Sequence, residues 1–135
     1  MLRLRSYAQY LLADPPGGNF ASGLEFASGA RKPSYDAYRL PLYMPRTSGR
    51  RGAALEVWGD ARAAAFTGAQ PIVAIQFQAG SHGPFTTVPK VAVKNIRGYF
   101  DVRVPFSGSG SVRLAWSDPL FGQNVISRTV KITLH

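Results

Sequence analysis

The chain has 135 residues, 45% of them apolar, with no cysteine and a formal charge of +9 from 16 basic and 7 acidic residues. Such a length is that of one domain able to bury a core unaided, and the missing thiols exclude disulfides, cysteine nucleophiles and thiolate metal sites. No apolar run reaches the roughly 20 residues that span a bilayer, and the N-terminus lacks the order of a signal peptide, so membrane insertion is not expected.

From Leu2 to Leu12 the apolar residues Leu4, Tyr7, Ala8 and Leu11 recur at spacings of three and four, the period of an amphipathic helix. A helix below about 12 residues is marginal alone, so its apolar face must dock on something. Met1 abuts this segment with no N-cap before it, which reads as a chain cut from a longer one. Asp14-Pro15-Pro16-Gly17-Gly18-Asn19 ends the segment, because its prolines and glycines neither continue a helix nor join a ladder. Pro33 suits the first position of a short helix running through Tyr38. Leu40 to Met44 follows as an edge-like first strand interrupted by proline, and Arg46 to Gly52 reads as a polar, basic loop.

From Ala53 onward, short runs rich in Val, Ile, Phe and Thr alternate with turn clusters. Strands are predicted at Ala54 to Arg62, Ile72 to Gln78, Phe85 to Val93, Tyr99 to Pro105, Ser111 to Ser117 and Ile126 to Leu134, seven in all with the first. Alternation points Leu55, Val57, Val73, Ile75, Phe77, Val91, Val93, Phe100, Val102 and Val104 inward. It does the same for Val112, Leu114, Trp116, Ile126, Val130, Ile132 and Leu134. With no crossover helix between strands, the expected fold is all-β: an immunoglobulin- or fibronectin-III-like antiparallel sandwich preceded by a short N-terminal helix. The expected division is residues 1–39 as helix and aromatic hinge, and residues 40–135 as the sandwich.

Catalytic chemistry is hard to place. Glu56 and Asp60 are the best sequence-local acid pair, but four residues apart on one strand they stand roughly 13 Å apart, solvated beside Arg62 or Arg103. His82 and His135 are the two imidazoles, in a loop and at the C-terminus, so neither a metal site nor a nucleophile–base pair is expected. No cofactor and no metal is predicted. The cations are dispersed, grouping only at Arg3/Arg5, Arg31/Lys32, Arg50/Arg51 and Lys90, Lys94, Arg97, which points to a solvated surface and away from nucleic acid. Trp58 shares the outward phase of Glu56, and Tyr35, Tyr38 and Tyr43 surround the hinge, as befits rings at a half-wet interface.

Several stretches occur together in order: Ser6 to Asp14, Phe20 to Leu24, Gly29 to Pro41, Val57-Trp58-Gly59, Gly98-Tyr99-Phe100 and Ser127-Arg128. This series resembles the C-terminal end of actinobacterial glycoside-hydrolase-like proteins, in which a (β/α)8 barrel precedes a β-sandwich. The resemblance implies that residues 1–12 belong to the barrel's last helix. It also implies that the catalytic carboxylates, which sit on barrel strands, have no counterpart here. The expected role is therefore a non-enzymatic accessory module of a secreted or cell-surface glycosidase-like protein. It would brace or position the preceding catalytic barrel through Leu4, Tyr7, Leu11, Tyr35, Tyr38 and Trp58. Two alternatives stand beside it: a carbohydrate-binding module stacking polysaccharide on Trp58 and Tyr99, and a basic surface-adhesion module using Arg46, Arg50 and Arg51. A homodimer burying the uncovered helix is expected of the isolated chain.

Overall fold

A computed structural model describes residues 11–18, 20–62 and 70–135. The chain forms two compact units, Met1–Tyr35 and Asp36–His135. The predicted helix over Leu2 to Leu12, with Leu4 and Tyr7, lies outside the described residues except for Leu11 and Leu12, which are not helical.

Among the described residues the first unit is knitted by backbone hydrogen bonds. Asp14 N–H donates to Glu25 O (3.0 Å), Glu25 N–H to Leu12 O (2.8 Å) and Lys32 N–H to Leu24 O (2.9 Å). Asp14 ties these strips together, accepting from Gly23 N–H (2.9 Å) and from Lys32 Nζ (2.8 Å). The Lys32 hydrogen bond is the main reason why the Asp14 carboxyl is held below the ordinary carboxylate range.

The second unit is an all-β sandwich. Helix α1 (Pro33–Arg39), which leads into it, begins at the proline, whose missing N–H costs nothing in a first turn. Among the described residues nine strands follow: β1 (Leu42–Tyr43), β2 (Ser48–Gly49), β3 (Ala54–Asp60), β4 (Ile72–Ala79), β5 (Thr86–Ala92), β6 (Tyr99–Pro105), β7 (Gly110–Asp118), β8 (Gln123–Ile126) and β9 (Val130–Leu134). They form a three-stranded sheet, β1-β3-β6, and a six-stranded sheet, β2-β9-β7-β4-β5, with β8 also paired to β7. Strict alternation in β3 and β4 sends Leu55, Val57, Val73, Ile75 and Phe77 between the sheets. There they meet Phe100, Val104, Val112, Leu114, Trp116, Ile132 and Leu134 in one cluster. Gly59 is required in β3, because a Cβ there would stand 2.6 Å from both Leu114 and Phe100.

Three local expectations need correction. The stretch Arg46 to Gly52 is not all loop, since β2 pairs in parallel with β9, with Ser48 opposite Thr133 and Gly49 opposite Leu134. Among the described residues the sandwich is therefore antiparallel except at this seam. The last predicted strand is two strands. Ser127, buried between them, accepts from Leu114 N–H through its Oγ (2.8 Å) while its own N–H donates to Leu114 O (3.0 Å). A side chain thus replaces one rung of the ladder and resets the alternation. Val125, opposite Trp116, points inward at 1% exposure, and Ile126 is 37% exposed, contrary to its predicted inward phase.

Candidate functional site

The two sheets differ on their outer faces. In the three-stranded sheet the register places Tyr43 opposite Trp58 and Trp58 opposite Asp101, so these three residues form one cross-strand row. The next row is Asp60 with Tyr99, and on the other side lies Glu56 with Arg103. Trp58 is half-buried, Tyr43 is 56% exposed and Tyr99 42% exposed. Directly opposed side chains on one face lie close enough to act on a common ligand. Among the described residues Asp101 is exposed and makes no ion pair or hydrogen bond.

The flanking rows are partly committed. Glu56 lies 3.9 Å from Arg103, and Asp60 lies 3.5 Å from Arg62 Nε without hydrogen-bond geometry. Burial raises the Asp60 carboxyl above its ordinary value, and the Arg62 charge opposes that shift only in part. The Arg62 guanidinium also stacks 4.1 Å over the Tyr38 ring.

The most buried ion pair among the described residues joins Arg39 to Asp118. The Arg39 Nη2 donates to Asp118 Oδ2, Nη1 reaches Gln123 Oε1 at 3.3 Å, and the other carboxylate oxygen accepts from Leu120 N–H at 2.8 Å. With both partners buried and saturated, this cluster fixes α1 against the β7–β8 hairpin rather than offering a reactive group. Sequence reading missed it because Arg39 and Asp118 are 79 residues apart.

Leu11, Tyr35, Tyr38 and Trp58 are each half-buried, and Tyr35 is stacked by Arg31 at 4.4 Å. Trp58 and Tyr99 do share an outward face, joined by Tyr43, which sequence alternation alone did not pair with them. His82 is exposed and its Nδ1 lies 2.7 Å from Ser81 Oγ, a contact between chain neighbours. A groove of about 590 Å3 is bounded by Pro45, Arg46, Arg50, Leu55, Glu56 and Arg103.

No family model matches the sequence, and no curated protein matches it. Among solved structures, the chain is similar to a superoxide reductase (neelaredoxin) from Ignicoccus hospitalis, with a TM-score of 0.58 and 10% identity, covering 98% of this chain and 100% of that one. This corrects the functional expectation. The likeness runs over nearly the whole chain to an entire reductase chain and supplies no link to a glycosidase. The accessory-module reading and its carbohydrate-binding and surface-adhesion alternatives are therefore withdrawn. At this identity the likeness shows the β-fold alone. One-electron chemistry on oxygen species requires a metal or another redox group. The chain has two histidines and no cysteine, and among the described residues no three His, Cys, Asp or Glu gather.

Proposed function

We propose that this chain is a protein-docking module that receives an arginine or lysine side chain of a partner on the row Tyr43–Trp58–Asp101. The observation that carries the reading is that row: an indole between a phenol and a carboxylate, with the carboxylate exposed and unpaired among the described residues. A cation over Trp58 gains the attraction of the ring face, and Asp101 supplies the opposite charge beside it. Tyr and Trp are the residues on which interface energy concentrates. Because the whole chain carries +9, the preferred partner is an acidic surface presenting that one cation, drawn in by the net field and fixed by the row.

Acidic pentapeptides with a central arginine, lysine or glutamine test this by calorimetry. The arginine and lysine peptides bind, the glutamine peptide is at least about tenfold weaker, and D101N or W58A removes that preference. Equal binding of the glutamine and arginine peptides would overturn the reading.

A further inference from the structure

The arginine-bounded groove is a different site, and its placement is unusually firm for a basic stretch. It is formed by Pro45 and Arg46 before β2, by Ser48, Gly49 and Arg50 on and after it, by Ala53 and then Ala54 to Glu56 of β3, and by Arg103 of β6. The segment carrying Arg46 and Arg50 is pinned on both sides of β2. Thr133 N–H donates to Thr47 O (2.8 Å), His135 N–H to Gly49 O (3.1 Å) and Arg51 N–H to His135 O (3.1 Å). A third arginine, Arg103, faces the same space from the neighbouring sheet, its side chain 73% exposed.

Three guanidinium groups around one groove repel one another. Among the described residues the compensation is a single carboxylate, Glu56, at 3.9 Å from Arg103; Arg46 and Arg50 have no ion pair. The groove's size suits a small molecule, its apolar wall of Pro45, Ala53, Ala54 and Leu55 suits a compact hydrocarbon or ring, and guanidinium forks suit an oxyanion. A phosphate monoester carries about −1.5 to −2 charge and three acceptor oxygens, which matches three arginines where a monocarboxylate does not.

We infer that the groove between β2 and the β3–β6 sheet binds a small phosphate monoester with an apolar or aromatic substituent, held by Arg46, Arg50 and Arg103. Arg51, the chain neighbour of Arg50, is not on the groove and serves as an internal control. Glu56 competes with the ligand for Arg103.

The experiment is a titration of the full chain with phenyl phosphate, read by calorimetry and backbone amide shifts. Phenyl phosphate moves amides at residues 46–50 and 103. The R46A/R50A variant binds at least about tenfold more weakly, while R51A changes affinity less than about twofold. E56Q tightens binding by about threefold by releasing Arg103, and benzoate, the monoanion with the same ring, binds at least about tenfold more weakly than phenyl phosphate. These exposed side chains can be removed without touching the core, and unchanged amide spectra of the free variants confirm it. The inference is overturned if R51A weakens binding as much as R46A/R50A. It also fails if benzoate matches phenyl phosphate, or if the shifts fall on Lys90, Lys94 and Arg97 instead of the groove.

Discussion

The two sheets share one core but treat their outer faces differently. On the six-stranded sheet some polar groups pair with one another: Arg113 Nε donates to Gln76 Oε1 (2.8 Å) while its guanidinium lies 3.8 Å from the Phe85 ring centre, and Ser117 Oγ donates to Asn124 Oδ1 (2.6 Å), whereas Lys90, opposite Ala74, is exposed with no ion pair among the described residues. On the three-stranded sheet Asp101 and the hydroxyls of Tyr43 and Tyr99 find no partner among the described residues. The contrast lies in the kind of group left uncommitted, a carboxylate with aromatic rings on one face and a lysine with aliphatic side chains on the other. A face that leaves a carboxylate and three aromatic rings uncommitted retains interaction energy for something else.

The largest effects should come from breaking what the sheets have in common. Asp118→Asn leaves the buried Arg39 without its counter-charge and should cost about 3–5 kcal/mol in denaturant unfolding. Leu114→Ala, in the fully buried centre between the sheets, should cost about 2–5 kcal/mol by the same measurement. Neither result separates the faces. A smaller change does: Arg113→Ala should lose about 1 kcal/mol of stability with peptide binding unaltered, whereas Asp101→Asn should leave stability within about 0.5 kcal/mol and abolish the preference for arginine. A loss of stability in Asp101→Asn equal to that in Arg113→Ala would erase the distinction.

Two carboxylates sharpen the comparison through pH. Asp60, at the end of the docking face, has a native pKa raised mainly by burial, so its ionised form opposes folding. That penalty is present at neutral pH and relieved as pH falls through the raised native value. Asp60→Asn should therefore be at least as stable as the parent at pH 7, with any advantage shrinking on acidification, as followed by thermal unfolding. Asp14 behaves oppositely. Its native pKa is lowered, so the Lys32 pairing supports the first unit above the ordinary carboxylate value of about 3.9 and is lost as pH falls through the lower native value. Amide exchange at Gly23 and Glu25 should be faster in Asp14→Asn than in the parent at neutral pH, and the difference should close in acid.

Much of the sandwich could be read from period-two alternation, because one-sided burial forces it. Leu55, Val57, Val73, Ile75, Phe77, Leu114 and Trp116 all point where their phase requires. Alternation failed where a side chain stood in for backbone. Ser127 interrupts the last strand without any turn signal, and Ile126 therefore fell on the wrong face. It also failed at β2, whose two residues carry no hydrophobic signal and owe their pairing to β9. The outward placement of Trp58 was legible, but its neighbours Tyr43 and Asp101 were not, since cross-strand partners depend on register between strands distant in sequence. The arginine groove was obscured for the same reason. Arg50 and Arg51 look like a pair in the sequence, yet the groove takes Arg50 with Arg103 and excludes Arg51.

The most direct test is to map backbone and indole shifts of the whole chain during titration with an acidic peptide carrying one central arginine. Changes are expected at Tyr43, the Trp58 indole and Asp101, with Gln76, Arg113 and Ser117 silent. Changes concentrated on Gln76, Arg113 and Ser117, or the same pattern with a glutamine at the peptide's centre, would contradict the proposed docking.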